Sequence, residues 1–334
     1  IPELLIGDKA AANSFSFPVK AKQTLVFVSN FSGLKALYIR LTKNLAPDFI
    51  ALSNSGEELY RERIETPKDN YSSTLEAIEW LVSKVETGVG VADSVGIGIP
   101  GTLSSVTHKV KNANSTWLNN KPLDEDLQRI LGRPIRIAND ANCLAVSESI
   151  DGAGAGFKVV FAVIIGTGCG GGIAIDGKAH LGVNGVAGEW GHNPLPWPND
   201  EEIHYQEKFP CYCGRIGCIE TFLSGPGFAR DYELYTGNVL EAYQIVELAE
   251  KGESSAASCL VRYEQRLGKA LAGLINTLDP DIIVLGGGMS NIERLYSNLK
   301  PVMSNWVFGK ECATEVRQAK YGDSSGVRGA AWLW

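Results

Sequence analysis

Three cysteines and a histidine stand at a spacing that suits one metal ion. Cys211, Cys213 and Cys218 fall within eight positions, and glycines between the last two cysteines let the chain turn tightly around an ion. A closed tetrahedral zinc site needs a fourth ligand, and His192 is the best candidate because it lies just upstream. Such a set favours a structural metal. The alternative is a group of buried cysteines that lie close together without a metal.

Asn139 and Asp140 form a second candidate site. They stand between an apolar run that predicts a strand and a helix that is predicted to begin at Ala141. A carboxylate in this position can accept the proton of a reacting hydroxyl, and the neighbouring amide can both donate and accept hydrogen bonds. Both residue types are also preferred helix N-caps. The residues alone therefore leave a catalytic base and a helix cap equally open.

Two glycine-rich segments are typical of loops that bind phosphate. The segment 166–172 follows the apolar run 159–165, and the glycines at 286–288 follow the apolar run 282–285. Repeated backbone amides in such turns form a nest for anionic oxygens. Hairpins also use glycine, so an ordinary turn is the alternative for each segment.

The apolar periodicity predicts the elements that position these residues. Continuous or alternating apolar runs indicate strands, and recurrence every three or four residues indicates helices. The predicted strands are 25–28, 37–41, 48–52, 58–64, 95–99, 135–137, 159–165, 172–175 and 282–285, with turns at 31–35 and 54–56. The predicted helices are 71–85, 123–131, 256–278 and 326–334, besides the one that begins at Ala141. No internal repeat is visible.

Length and charge exclude several classes of protein. A chain of 334 residues is long enough for two lobes with separate cores. With a net charge of -7 and no run of lysine and arginine, we expect no nucleic-acid partner. No segment approaches the ~18 to 20 apolar residues of a membrane span, and the N-terminus lacks the pattern of a secretion signal. We therefore expect a cytoplasmic protein, in which clustered cysteines favour metal over disulfides.

Two segments resemble the signature of the ROK family, which contains repressors and sugar kinases. They are Gly-Glu-Trp-Gly-His at 188–192 and Cys-Tyr-Cys-Gly-Arg-Ile-Gly-Cys-Ile-Glu at 211–220. The resemblance extends from about Asp48 to Trp334. In that family the histidine and the three cysteines bind zinc. The resemblance therefore implies a structural zinc ion held by His192, Cys211, Cys213 and Cys218.

The resemblance also implies the remaining site of a sugar kinase. Asp140 matches the family's general base, which accepts the hydroxyl proton as the phosphoryl group arrives. The implied sugar contacts are Gly101, Asn114, Asn139, Asp140, Glu189, His192 and Glu220. The implied nucleotide contacts are Gly166, Thr167, Gly168, Cys169, Gly170, Gly286, Gly287 and Gly288, and the segment 323–326 is expected to line the nucleotide cleft. ATP and Mg²⁺ are the implied cofactors beside zinc.

The first 47 residues depart from the family pattern. Between its first two strands the family carries an Asp-x-Gly-Gly-Thr-Lys turn, whose aspartate organises magnesium and whose amides hold phosphate. The nearest segment here is 30–35, Asn-Phe-Ser-Gly-Leu-Lys, which keeps one glycine and the lysine. Two interpretations compete. One is a degenerate loop with weakened catalysis, and the other is an N-terminus altered by a shifted reading frame or a different start.

The resemblance implies an α/β protein of the two-lobed ribonuclease H/actin-like ATPase fold, with a cleft between the lobes. We expect an atypical segment 1–47, a small lobe 48–117 to which the C-terminal helix 323–334 returns, and a large lobe 118–322 with the zinc site. The implied function is ATP-dependent phosphorylation of the 6-hydroxyl of fructose, with mannose and glucose as further substrates. The implied partners are the sugar, ATP and a second copy in a homodimer, without a membrane.

Three alternatives stay open. The segments 111–117, 188–197 and 322–332 resemble bacterial fructokinases (mannofructokinases) more than N-acetylglucosamine kinases, but no derived pocket volume excludes an acetamido group. A sugar-responsive repressor would need a winged-helix domain with a basic recognition helix, and residues 1–47 supply neither. A sugar-binding protein with impaired catalysis is the third alternative, because the first phosphate loop is missing.

Overall fold

The computed structural model describes residues 34–40, 48–53, 55–63, 67, 69–92, 94–322 and 325–334. The predicted strand 25–28, most of the segment 30–35, Asp323 and Ser324 lie outside these residues. The strands are β1 Leu34–Arg40, β2 Asp48–Ser53, β3 Glu58–Arg63, β4 Ser94–Ile99, β5 Thr102–Leu103, β6 Val110–Lys111, β7 Ile135–Asn139, β8 Val159–Ile165, β9 Cys169–Ile175, β10 Lys178–Ala179, β11 Ile282–Gly286 and β12 Glu315–Gln318.

The helices connect and cover these strands. They are α1 Tyr71–Val89, α2 Leu123–Leu131, α3 Asp140–Ile150, α4 Asp200–Lys208, α5 Ile219–Leu223, α6 Gly225–Thr236, α7 Ala242–Glu250, α8 Ser254–Leu278, α9 Leu295–Trp306 and α10 Ser325–Ala331. Among the described residues, no helix combines the length and the apolar character needed to cross a bilayer.

Two five-stranded sheets share one topology. The strand order is β3-β2-β1-β4-β7 in the first sheet and β10-β9-β8-β11-β12 in the second. In each sheet the first three strands run antiparallel and the last two join in parallel. The two sheets thus follow the same plan, although the sequence shows no repeat. A shared strand order requires a similar hydrophobic pattern but not the same residues.

The first sheet corrects two predictions. Leu34 and Lys35 were predicted in a turn, but they belong to β1, which is paired with β2 on one side and β4 on the other. The boundary predicted after Trp117 is also wrong, because Ile135 in β7 pairs in parallel with β4. Leu123 and Leu127 of α2 bury their side chains in the same core as α1. The chain therefore leaves the first sheet only at α3.

Helices α3 and α10 form the layers between the two sheets. Helix α3 packs on β8 and β9, helix α10 packs on β1, β2 and β4, and the two helices pack on each other. Their closest approach is at Gly329, where a Cβ atom would stand 1.5 Å from the carbonyl oxygen of Cys143. A side chain of any size would therefore separate the helices.

Each outer face of this helix pair also meets its sheet at a glycine. A Cβ on Gly96 of β4 would stand 2.0 Å from the carbonyl oxygen of Ala330 in α10. A Cβ on Gly172 of β9 would stand 2.2 Å from the carbonyl oxygen of Ala141 in α3. Three glycines thus allow four backbones to stack, and the last contact fixes the start of α3.

We predict that Gly172→Ala destabilises the protein, because the added methyl group must push α3 away from β9. Overpacking of this kind costs about 1 to 3 kcal/mol in the free energy of unfolding. Urea unfolding followed by circular dichroism measures the difference.

Gly170→Ala is the matched control on the same strand. Its methyl group would meet the Cβ atom of Ala141 at 3.9 Å, an ordinary contact, so we expect a change within about 0.5 kcal/mol. Equal effects of the two substitutions would contradict the close contact between β9 and α3.

Candidate functional site

Asn139 and Asp140 lie where β7 ends and α3 begins. The side-chain oxygen of Asn139 accepts a hydrogen bond from the amide of Ala141 at 2.8 Å, so Asn139 is the N-cap. Oδ1 of Asp140 accepts from the same amide at 2.9 Å. The sequence offered both Asn139 and Asp140 as N-cap residues, and the structure assigns the N-cap of α3 to Asn139. The Asp140 side chain thus lies in the first turn, at the positive end of the helix dipole.

The loops after β4 approach this helix start from the first sheet. The side-chain amide of Asn139 donates to the carbonyl oxygen of Gly101 at 3.3 Å. The backbone amide of Asn114 donates to the carbonyl oxygen of Pro100 at 3.0 Å, and the Asn114 side chain is exposed. Gly101 packs against Ala113 so closely that a Cβ would stand 2.8 Å from its Cα. Three predicted sugar contacts are therefore brought together on one side.

The second lobe contributes further acidic groups. Although the Glu189 side chain reaches solvent, its partial burial raises the pKa of its carboxyl group. His192 opposes the rise, while Asp140 and Glu220 add to it. The four groups thus share one electrostatic environment. Carboxylates accept hydrogen bonds and hydroxyls donate them, so this arrangement can bind a polyhydroxylated ligand.

Glu220 connects these acidic groups with the glycine loop between β8 and β9. Its Oε2 accepts a hydrogen bond from the amide of Cys169 at 2.9 Å. A Cβ on Gly168 would stand 2.9 Å from the same oxygen, so the glycine leaves room for the carboxylate. Burial, reinforced by the charge of Glu220, raises the pKa of the Cys169 thiol. This thiol is therefore protonated near neutral pH and is not a nucleophile.

The predicted nucleotide loops meet at the other side of the same turn. The amide of Gly225, at the start of α6, donates to the carbonyl oxygen of Gly166 at 2.7 Å. Gly287 has a φ of 84°, and a Cβ there would stand 2.6 Å from the carbonyl oxygen of Ile165. Thr167 is exposed at the tip of the turn. The loops 166–170 and 286–288 therefore line one region next to Glu220.

The four predicted metal ligands converge. One ligand atom from each of His192, Cys211, Cys213 and Cys218 lies within 4.8 Å of all the others. Nδ1 of His192 is 3.6 Å from Sγ of Cys211, and the Sγ atoms of Cys213 and Cys218 are 3.6 Å apart. A tetrahedral zinc ion with bonds of about 2.3 Å to sulfur and 2.0 Å to nitrogen needs ligand separations of about 3.5 to 3.8 Å. The donor set therefore fits zinc.

Tyr212 is a site residue that sequence reasoning missed. Its hydroxyl lies 3.1 Å from Nε2 of His192, and the two rings meet edge to face with centroids 5.3 Å apart. The available signal was its position between Cys211 and Cys213, where an aromatic residue with a polar end must lie beside the metal ligands.

A buried ionic network, also missed, supports the segment before the cysteines. Asp231 of α6 accepts hydrogen bonds from Arg262 and from Arg266 of α8, each at 2.7 Å. Glu202 of α4 accepts from Lys269 at 2.6 Å and from Arg266 at 3.3 Å. The network thus joins α4, α6 and α8. Single charges along three separate helices give no sequence pattern that predicts their meeting.

A model of the ROK family matches residues 47–334 of the chain. The chain belongs to the ROK family. Curated relatives include the N-acetyl-D-glucosamine kinases of Photobacterium profundum and of Vibrio cholerae serotype O1. Each is 38% identical over 289 residues, covering 86% of this chain and 95% of the relative.

Solved structures agree with the fold of this ROK protein. The ROK hexokinase from Thermus thermophilus has a TM-score of 0.78 at 26% identity and covers 90% of this chain and 97% of its own. The ROK glucokinase from Streptomyces griseus, solved with glucose and AMPPNP, has a TM-score of 0.71 at 27% identity and covers 90% and 99%. The predicted fold and the assignment to the sugar kinases of the ROK family are confirmed. The fructokinase subgroup is not confirmed, because these relatives are named N-acetyl-D-glucosamine kinases.

We predict that Asp231→Asn strongly destabilises the ROK protein, because it leaves Arg262 and Arg266 without their shared counter-charge in the interior. Breaking a buried pair from one side costs about 3 to 5 kcal/mol. The midpoint of chemical unfolding measures this loss.

Glu315→Gln is the control, since Glu315 pairs with Arg317 at the surface, where both side chains are 45% exposed. We expect a change below about 1 kcal/mol. A loss at Asp231 no larger than at Glu315 would show that the network does not hold the three helices together.

Proposed function

We propose that the protein is an ATP-dependent hexose kinase that phosphorylates the sugar 6-hydroxyl. The observation that carries the proposal is the hydrogen bond between Glu220 and the amide of Cys169. It joins the acidic groups suited to sugar hydroxyls with the glycine turn suited to phosphate, so both substrates would meet at one point. Phosphoryl transfer depends mainly on such positioning and on charge stabilisation.

Asp140 is the proposed general base. Its carboxylate lies at the first residue of α3, and the hydrogen bond from the amide of Ala141 orients it. It would accept the proton of the attacking hydroxyl as the terminal phosphoryl group of ATP arrives. Glu189, Glu220 and His192 would hold the other hydroxyls, together with Gly101, Asn114 and Asn139. Bound Mg²⁺ would neutralise developing charge on the phosphates.

The first phosphate loop is the weak part of the proposed nucleotide site. Among the described residues, the first two strands of the sheet are β1 and β2, and the segment 41–47 between them reads Leu-Thr-Lys-Asn-Leu-Ala-Pro. It contains no aspartate and no glycine, and its structure lies outside the described residues. A protein that binds sugar but transfers phosphate slowly is therefore the second candidate.

The preferred hexose has two candidates with different support. N-acetylglucosamine is supported by the relatives at 38% identity, which carry that name. Fructose is supported by the resemblance of the segments 111–117, 188–197 and 322–332 to fructokinases. We give the first greater weight, because the identity extends over 86% of the chain. The homodimer stays a prediction from the family resemblance.

We further propose that His192 and the three cysteines hold a structural zinc ion. Four protein side chains would fill all four positions of a tetrahedral zinc ion, so no position would be open for a substrate. His192 would bind through Nδ1, the nitrogen nearest Cys211. The ion would thereby fix the segment that carries Glu189 and the helix that carries Glu220, which form one wall of the sugar site.

We predict that Asp140→Asn lowers kcat about 10²- to 10⁴-fold while sugar still binds, because the amide preserves shape but accepts no proton. A coupled ADP-release assay with ATP-Mg and a panel of fructose, mannose, glucose and N-acetylglucosamine measures turnover. Calorimetry measures sugar binding, and the panel ranks the hexoses.

Asp200→Asn is the matched control, since Asp200 also stands in the first turn of a helix and is exposed. We expect its turnover to equal that of the unchanged protein. Equal turnover of the Asp140 variant would exclude Asp140 as the base. Sugar binding without turnover in the unchanged protein would favour the second candidate.

We predict that Cys213→Ser lowers bound zinc from about one ion per chain to a small fraction and lowers the melting temperature, because it removes one of four ligands. Elemental analysis and thermal unfolding measure the two effects. Cys312→Ser, outside the cluster, should retain full zinc content. Unchanged zinc content in the Cys213 variant would show that the cluster is not the metal site.

A further inference from the structure

Tyr212 contacts a nitrogen of His192 that the metal cluster does not use. The tyrosine side chain is 76% exposed, yet its hydroxyl lies 3.1 Å from Nε2 of His192. Nδ1 on the opposite edge of the imidazole is the atom that faces Cys211, at 3.6 Å. One edge of the ring thus belongs to the cysteines and the other to Tyr212.

This geometry determines the direction of the hydrogen bond when Nδ1 binds a metal. Nε2 then carries the ring proton and needs an acceptor. The oxygen of Tyr212 lies within hydrogen-bond distance of Nε2, at 3.1 Å, and can be that acceptor. A sugar hydroxyl that used Nε2–H would therefore have to replace or share this oxygen, so the sugar and the tyrosine compete for one donor.

The position of the ring adds a steric consequence. Its edge-to-face contact with His192 places it beside Nε2, and Glu220 and Glu189 lie near enough to act on it electrostatically. These are the acidic groups proposed to hold sugar hydroxyls. The side chain is largely exposed, so the ring lies at the surface beside His192 and outside the core. A ligand bound between the carboxylates and His192 would meet this ring.

We propose that Tyr212 is a specificity-determining residue of the sugar site, an inference that rests on the proposed hexose kinase function. Its hydroxyl holds Nε2 of His192 until a sugar hydroxyl takes that donor. Its ring is a wall that limits the substituents a hexose can carry on the side next to His192. A substituent larger than a hydroxyl would meet this ring on that side, whichever hexose is preferred.

Two substitutions separate the hydroxyl from the ring. Tyr212→Phe removes the competing oxygen and keeps the wall, so we expect KM to fall about 2- to 10-fold for every hexose used, with their ranking unchanged. Tyr212→Ala removes the wall as well. We expect it to raise kcat/KM for N-acetylglucosamine relative to fructose by about 10-fold or more, the effect of a few extra atoms in a pocket.

Tyr235 supplies the controls. It is also exposed, at 48%, and its hydroxyl donates to Glu201 on the surface at 3.0 Å. Tyr235→Phe and Tyr235→Ala should leave the substrate ratio unchanged. Zinc content is measured in every variant, so that loss of the metal cluster is not mistaken for a change in specificity. Calorimetry with both sugars gives the same ratio without depending on turnover.

The outcomes are distinguishable. If the unchanged protein neither binds nor phosphorylates any hexose, the proposed function fails and this inference fails with it. If the unchanged protein uses a hexose but Tyr212→Ala leaves the ratio within about twofold at full zinc content, only the role of Tyr212 is overturned. A shift of the ratio in Tyr212→Ala, absent from Tyr212→Phe and from both Tyr235 variants, supports the wall.

Discussion

The structure depends on the backbone-to-backbone stacking of β4, α10, α3 and β9. Gly96, Gly329 and Gly172 stand at its three contacts, where a Cβ would come within 1.5 to 2.2 Å of a carbonyl oxygen. The absence of side chains there lets two sheets share one pair of helices. The constraint is steric and has no substitute, since any larger residue would force the layers apart. Because α3 lies inside this stack, the position of Asp140 relative to β9 is fixed.

The site follows from this arrangement. Asn139 ends β7 at the edge of the first sheet, and Asp140 begins α3, which packs on β9 next to the glycine turn of the second sheet. The hydrogen bond of Asn139 to Gly101 connects them to the loops after β4. The hydrogen bond of Glu220 to Cys169 connects the turn to the segment that follows the cysteines. Burial raises the pKa of the Glu189 carboxyl group, and the charges of Asp140 and Glu220 add to the rise.

Besides its hydrophobic core, the second lobe contains buried ionic contacts and a cluster suited to a metal. Asp231 and Glu202 are buried with the arginines and lysine that neutralise them, and they join α4, α6 and α8. Such pairs add little net stability over apolar packing but are costly to break from one side, so they restrict how the helices can be arranged. The cysteine loop begins just beyond α4, and its position is correspondingly restricted.

Local patterns in the sequence predicted many of the elements and the chemistry of the candidate groups. Apolar periodicity predicted α1, α2, α8, β4, β7, β8 and β11, and cysteine spacing predicted the cluster that the structure brings together. It missed the helices α4, α5, α6, α7 and α9 and the short strands β5, β6, β10 and β12. It also misplaced the boundary after Trp117. Only the tertiary structure decided that β7 joins the first sheet, that Asp231 meets two arginines, and that Tyr212 covers Nε2 of His192. These are contacts between residues distant in sequence or on facing surfaces. Such contacts form only when the chain folds back on itself, so no local sequence pattern predicts them.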